Sequence, residues 1–241
     1  MNTPEFESVY LQTRSKENRL YDDDEVRDLP QINRNNPLYH EWKVRASSAK
    51  YFLQYIEDRP NITSILEVGC GNGWMTAYLA RKLSLRKFSG IDINKTELHQ
   101  AQRAHHLSNA TYSLCDIFNE VPVGGPFQCI FLASTIQYFP SIPDLIYRLM
   151  EFGTQDLEIH IMDSPLYDDS SVEAARQASI LYYKNIGVPT MHQFYHHHTY
   201  QSFIPFYPVI SHPSIIQNWL QKFKLTYVSP FPRVIIRKQS W

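Results

Sequence analysis

Three of the chain's eight glycines fall within five residues, in the run Glu67-Val68-Gly69-Cys70-Gly71-Asn72-Gly73. Glycines at such a turn let backbone approach a ligand with no Cβ in the way, and a helix beginning just after them offers unpaired N–H groups. Asp92 stands nineteen residues beyond Gly73. A carboxylate there, closing the next strand, can accept hydrogen bonds from both hydroxyls of a ribose. Dinucleotide dehydrogenases use the same device, but their G-x-G-x-x-G/A fingerprint needs Gly or Ala at position 74. This chain has Trp74 there, preceded by G-x-G-x-G, which suits a pyrophosphate turn poorly.

The surrounding elements decide whether these residues can meet. Ser64–Val68 reads as a short apolar strand ended by the glycines, and Trp74–Leu83 as the helix that follows. Phe88–Ile93 is a second strand, and Thr96–His106 a second helix capped by Asn94 or Thr96. Thr111–Cys115, Phe127–Ser134 and Leu157–Met162 read as further strands, with a helix opening at Pro143-Asp144 and running to about Phe152. The continuous apolarity of Phe127–Ser134 points to burial on both faces. Alternation of this kind predicts an α/β fold, a parallel sheet wrapped by helices. Before it, His40–Glu57 carries apolar residues at helical spacing and is stopped by Pro60 and Asn61. Residues 1–31 hold eight acids against four bases and few apolar residues, which predicts a solvated arm. Ser214–Phe223 reads as a helix, and Leu225–Val228 and Arg233–Arg237 as the last strands.

With these elements in place, the run Ile65-Leu66-Glu67-Val68-Gly69-Cys70-Gly71-Asn72-Gly73 resembles motif I of the class I S-adenosylmethionine-dependent methyltransferases. The resemblance implies a Rossmann-like seven-stranded, mostly parallel sheet with helices on both faces. Strand seven would be antiparallel, between strands five and six. It also implies S-adenosyl-L-methionine as cofactor, with Glu67, Gly69, Cys70, Gly71 and Gly73 around it and Asp92 and Ile93 at its ribose. Asp116 and Ile117, after the third strand, match the residues that bind the adenine amino group and pack on its ring. Ser134 belongs to the strand-four motif, which runs from Phe127 to Pro140. Trp42 and Arg45 resemble the Trp-x-x-Arg that precedes motif I in several small-molecule groups, so Arg45 would meet the methionine carboxylate. The match is strong over about residues 60–165 and looser over 214–237.

In such a fold the acceptor would sit at the ends of strands four and five, by Gln137 and Tyr138 on one side and Asp163 on the other. Methyl transfer is an in-line displacement, accelerated by alignment and exclusion of water. A neutral amine or alcohol must also lose a proton, for which Asp163 and His196 are the candidate bases. From Pro165 to Pro213 the rhythm breaks into a stretch with six tyrosines and five histidines. It is expected as a cap inserted after strand five, with Tyr195 and Tyr200 shaping the acceptor pocket, and the alternative of a dimerisation surface leaves a homodimer open. His192 and His196 stand i, i+4, but no Cys accompanies them and no metal site is expected.

The expected organisation is one domain over 1–241. It comprises an N-terminal arm and helices to 58, a cofactor-binding core over 60–165, the cap over 166–213, and a C-terminal helix and strand pair. A net charge of −1 disfavours a nucleic-acid partner, as does the absence of the Asp/Asn-Pro-Pro-Tyr/Phe and Pro-Cys signatures. Three cysteines without a CxxC pair and no membrane-length apolar run suit a cytoplasmic protein. The function expected is methyl transfer to oxygen or nitrogen of a small molecule. Aminopropyl transfer, or a non-catalytic module that binds the same ligand, is the alternative.

Overall fold

The computed structural model describes residues 3–214 and 226–238. In chain order the helices are α1 (Thr3–Lys16), α2 (Asp23–Asp28), α3 (Tyr39–Glu57), α4 (Trp74–Lys82), α5 (Lys95–Ala104), α6 (Ile142–Glu151) and α7 (Val172–Asn185). The strands are β1 (Ser64–Val68), β2 (Lys87–Asp92), β3 (Ala110–Leu114), β4 (Phe127–Ala133), β5 (Gly153–Met162), β6 (Val209–Ser211) and β7 (Arg233–Arg237). They form one sheet in the order β3-β2-β1-β4-β5-β7-β6. The first five run parallel, and β7 pairs antiparallel with both β5 and β6.

The local chemistry explains these limits. α5 starts at Asn94, whose side-chain oxygen accepts the Glu97 N–H at 3.1 Å, so Asn94 rather than Thr96 is the cap. Ser141 caps α6 in the same way, with Pro143 fitted into the first turn. β4 is apolar along its length because helices cover both sides of it. Ile130 and Leu132 join the cluster under α6, whereas Cys129 and Phe131 join the cluster under α3 and α4.

Two expectations change. The described part of the segment expected as a solvated arm, residues 3–31, is not one. Phe6, Thr13, Val26 and Leu29 are buried, and α1 lies on the molecule through Glu7, whose carboxylate accepts from the Thr96 N–H at 2.9 Å and hydroxyl at 2.8 Å. Of the acids that suggest solvation, Glu5, Asp22, Asp24, Glu25 and Asp28 are exposed, while Glu7 and Asp23 bond to α5. The sixth strand is Val209–Ser211, inside the stretch expected as a cap. Ahead of it Phe203 and Phe206 are buried in the central core. The helix expected over 214–223 lies, after its first residue, outside the described residues. The strand expected at 225–228 begins there too, and 226–228 carry no strand. Among the described residues no helix is long and apolar enough to cross a membrane.

Candidate active site

The strand ends β1, β2, β4 and β5 open into a cavity of about 440 Å³, roofed by α1 and by the segment Pro189–Phe194. The glycine turn forms its floor. Gly69 has φ +73°, and a Cβ there would come within 2.2 Å of the Thr135 methyl, so neither conformation nor space admits another residue. Gly73 also has φ +73°, but its missing Cβ makes room for the Tyr112 ring, 2.5 Å from where it would stand. Gly73 therefore lets α4 pack on the sheet and does not line the cavity, whereas Gly69, Cys70 and Gly71 do.

Asp92 faces Gly71 across this turn. One carboxylate oxygen accepts the Gly71 N–H at 2.7 Å and the other accepts the Asn94 N–H at 2.8 Å. The side chain is thus fixed at both oxygens, and each keeps a lone pair for a ligand. Burial raises its pKa above the usual aspartate value, opposed by these backbone bonds. Glu67 also lines the cavity, but one of its oxygens accepts both the N–H and the hydroxyl of Thr76, which ties β1 to α4. Burial pushes its pKa up to about 8. Ile93, Asp116 and Ile117 complete the end of the cavity beyond β2 and β3. Arg45 reaches it from α3, held by Glu41 at 2.9 Å and lying over the Trp42 ring at 5.3 Å. Trp42 in turn meets Trp74 edge-on at 5.2 Å.

At the ends of β4 and β5, Ser134 and Asp163 stand side by side, both left-handed, with φ +56° and +54°. The Ser134 hydroxyl donates to the Asp163 carbonyl at 2.9 Å, and the Ser48 hydroxyl donates to the Asp163 carboxylate at 2.7 Å. Two such conformations in adjacent residues store strain of about 1–3 kcal/mol each, and both turn their side chains along the cavity rim. Gln137 is buried, and its amide donates to the Ser134 carbonyl at 2.7 Å. It fixes the rim more than it faces the cavity. Tyr138 lines the cavity within an aromatic cluster with Phe6 at 5.5 Å and Tyr10 at 5.6 Å. His196 also lines the cavity, its N–H bonded to the Gln137 carbonyl at 2.7 Å, and burial lowers its imidazole pKa. Tyr195 lies behind Tyr138, outside the main cavity. Tyr200 packs on the core beside His212 and lines no part of the cavity, because the chain turns back toward the sheet before it. His192 and His196 do not share a helix, since the 3-10 turn closes at Phe194.

Sequence reasoning missed the α1 half of the roof. Phe6, Tyr10 and Arg14 all line the cavity. Their spacing of four residues puts them on one face of α1, a signal hidden by that segment's acids. Arg14 lies over the Tyr10 ring at 5.5 Å, and its Nε is shut off from solvent with no hydrogen-bond partner among the described residues. Glu97, also missed, is buried one turn into α5 and carries its oxygen 3.0 Å from the Cβ position of Gly71. Burial raises its pKa to about 7 against the pull of Arg14.

Known proteins share this arrangement. The methyltransferase-domain family model matches residues 65–152. Trans-aconitate 2-methyltransferase of Deinococcus radiodurans is 30% identical over 118 residues, which are 48% of this chain and 44% of that protein. Malonyl-[acyl-carrier protein] O-methyltransferase of Acetivibrio thermocellus is 24% identical over 110 residues, 45% of this chain and 38% of that protein. The chain thus spans less than half the length of the curated relatives it matches. The plantazolicin methyltransferase BpumL, solved with a pentazolic desmethylPZN analog and SAH, superposes with a TM-score of 0.57 at 19% identity, covering 99% of this chain and 98% of that one. Magnesium protoporphyrin IX methyltransferase (ChlM) from Synechocystis PCC 6803 with bound SAH gives 0.58 at 13% identity, over 90% of this chain and 94% of that one. Residues 65–152 match the model of a methyltransferase domain, and the chain has the fold of these solved methyltransferases.

Proposed function

We propose that the protein is an S-adenosyl-L-methionine-dependent methyltransferase acting on an oxygen or nitrogen of a small molecule, in the cytoplasm. The observation that carries this reading is the Asp92 carboxylate, fixed by the Gly71 and Asn94 N–H groups at the edge of the glycine turn. The cavity fits the cofactor chemically. Asp92, half-buried, and Glu97, buried, can accept from hydroxyl and ammonium donors, and the buried Arg14 Nε, without a partner among the described residues, can donate to a carboxylate.

In this reading Asp92 takes the ribose hydroxyls, Asp116 and Ile117 the adenine, Gly69, Cys70, Gly71 and Arg45 the methionine end, and Glu67, Ile93 and Ser134 complete the shell, with Gly73 only shaping the turn. When bound, the cofactor supplies a methyl on a sulfonium sulfur, open to in-line attack. The chain's own residues then do three things. α1 and Pro189–Phe194 cover the cavity with Phe6, Tyr10, Tyr138 and Phe194 and so exclude water. Tyr138 and the Gln137 rim align the acceptor with the ends of β4 and β5. Asp163, braced by Ser48, or His196, held neutral by burial, removes the acceptor's proton. Tyr195 supports Tyr138 from behind, and Tyr200 acts at most through the core. The three free, buried thiols Cys70, Cys115 and Cys129 suit a reducing compartment.

Trans-aconitate, named for one relative, and the desmethylPZN analogs bound to BpumL support a small acceptor, whereas the malonyl-[acyl-carrier protein] named for the other is carried on a protein. Incubation with methyl-labelled S-adenosylmethionine and a metabolite extract, followed by product analysis, tests the reading. A labelled product that disappears in Asp163→Asn or His196→Ala supports it. Tight S-adenosylhomocysteine binding with no labelled product would leave a binding module.

A further inference from the structure

Behind the main cavity lies a second, of about 230 Å³, and the two share His196 and Pro140 as a common wall. The two linings differ in charge. Five acids line the main cavity: Glu67, Asp92, Glu97, Asp116 and Asp163. Among the described residues none lines the second, whose polar side chains are Arg176, Ser179, Tyr195 and the histidines 192, 196, 197 and 198. Two of these imidazoles are already engaged. His198 donates Nε2–H to the Ile136 carbonyl at 3.0 Å, and His192 bonds the Pro189 carbonyl through Nδ1. His197 is different. Its Nε2 lies 2.9 Å from the Ser179 hydroxyl, while its Nδ1 is buried and has no hydrogen-bond partner among the described residues. The ring also hydrogen-bonds the Ala175 backbone, and in the tautomer or imidazolium that carries a proton on Nδ1 this buried nitrogen is a donor that lacks an acceptor. Arg176 stands at the mouth, paired at 2.6 Å with Glu173, which does not line the cavity.

We propose that this second cavity is a subsite for an anionic group, a carboxylate or phosphate, on the tail of the methyl acceptor whose reacting end lies in the main cavity. The proposal rests on the methyltransferase reading for its word acceptor, and on the lining alone for its charge. Arg176, the Ser179 hydroxyl and His197 Nδ1 are the donors, and His196 divides the tail from the reacting atom. Glu173 competes with the ligand for Arg176. Removing the acid therefore tightens binding, and removing the arginine weakens it. A simple packing defect would not produce that opposition of sign.

The test uses the full chain saturated with S-adenosylhomocysteine. The ring carbons of His192, His196, His197 and His198 are followed by NMR as succinate, inorganic phosphate or the neutral diamide of succinate is added. Succinate and phosphate should move these signals and the diamide should not. Arg176→Ala should weaken succinate about fivefold to tenfold, held to the low end by the exposure of the guanidinium, and Glu173→Gln should strengthen it. Signals that ignore both anions, or follow the diamide equally, overturn the proposal. The second arm separates an acceptor tail from a free anion. Labelled products from the extract assay should be retained on an anion exchanger, with a KM raised by Arg176→Ala at unchanged kcat. Products that are neutral or cationic overturn the acceptor-tail assignment even where anions move the histidines. If the extract yields no labelled product, the methyltransferase reading fails by itself, and the anion titration still decides whether the subsite exists.

Discussion

The floor and the roof of the main cavity are built on different principles. The floor is one continuous device, in which strand, glycine turn, helix and following acid lie within thirty residues and are held by backbone bonds. Gly69 and Cys70 N–H groups both go to the Ile91 carbonyl, and the Gly71 N–H goes to Asp92. The roof is assembled from distant pieces. Phe6 meets Phe194 at 5.6 Å and Tyr138 at 5.5 Å, and the Tyr182 hydroxyl reaches back to Glu17 at 2.6 Å. Backbone geometry tolerates few residues, whereas aromatic packing tolerates many. The floor can therefore hold a constant ligand while the roof varies with the acceptor.

This contrast can be broken by mutation. The largest effect on stability belongs to neither region but to the part of the expected cap that turns out to be core. Phe203→Ala should cost about 3–5 kcal/mol in urea unfolding, because Phe203 is fully buried under α6. A cost below about 1 kcal/mol would return 200–211 to a separable cap. On the floor, Asp92→Ala should weaken S-adenosylhomocysteine by about 2–3 kcal/mol, roughly 30- to 150-fold, through loss of its paired hydrogen bonds. Calorimetric titration checks this, and an unchanged affinity in a folded variant removes Asp92 from the site. On the roof, Phe6→Ala should cost about 0.5–1.5 kcal/mol in ligand affinity, about 2- to 12-fold, seen as faster release in stopped flow. An effect on the roof as large as that of Asp92→Ala would erase the distinction.

The smallest effect is in pH. Glu97 keeps its proton to about 7 in the folded chain against 4.5 for the free side chain. Folding therefore holds a proton between those values. The contribution of Glu97 to stability is full below about 4.5 and is lost as pH rises through about 7. Glu97→Gln should flatten the urea midpoint of the ligand-free protein across that window and raise it at pH 8. A wild-type profile already flat there would mean that Arg14 neutralises Glu97 fully.

The floor was legible in the sequence because its constraints are local. Three positive φ angles forced three glycines, and an acid at a strand end followed at a fixed distance. β1 and β7 fall on the residues their patterns predicted, and α4 and β2 to β4 within one residue. The roof was not legible because its partners lie more than 130 residues apart, and α1 disguises three inward residues among acids that face water. Tyr200 misled for a related reason. It belongs to a tyrosine-rich stretch whose middle, at Gln193, Phe194 and His196, lines the cavity and whose end supplies a strand, and composition cannot locate that division. Arg45 was placed by its resemblance, but Arg14, which keeps the unpaired nitrogen, stood in no motif.

The edge-on pair of Trp42 and Trp74 gives this cavity a native optical signal. Trp74 follows the glycine turn and lines the cavity, while the indole N–H of Trp42 donates to the Tyr21 hydroxyl at 2.7 Å and Arg45 lies across its ring. Both indoles thus line the cavity itself, Trp42 with the guanidinium across its ring. Emission from this pair should shift in colour and yield as the site fills. Occupancy could then be read in the unlabelled protein, at concentrations far below those calorimetry needs.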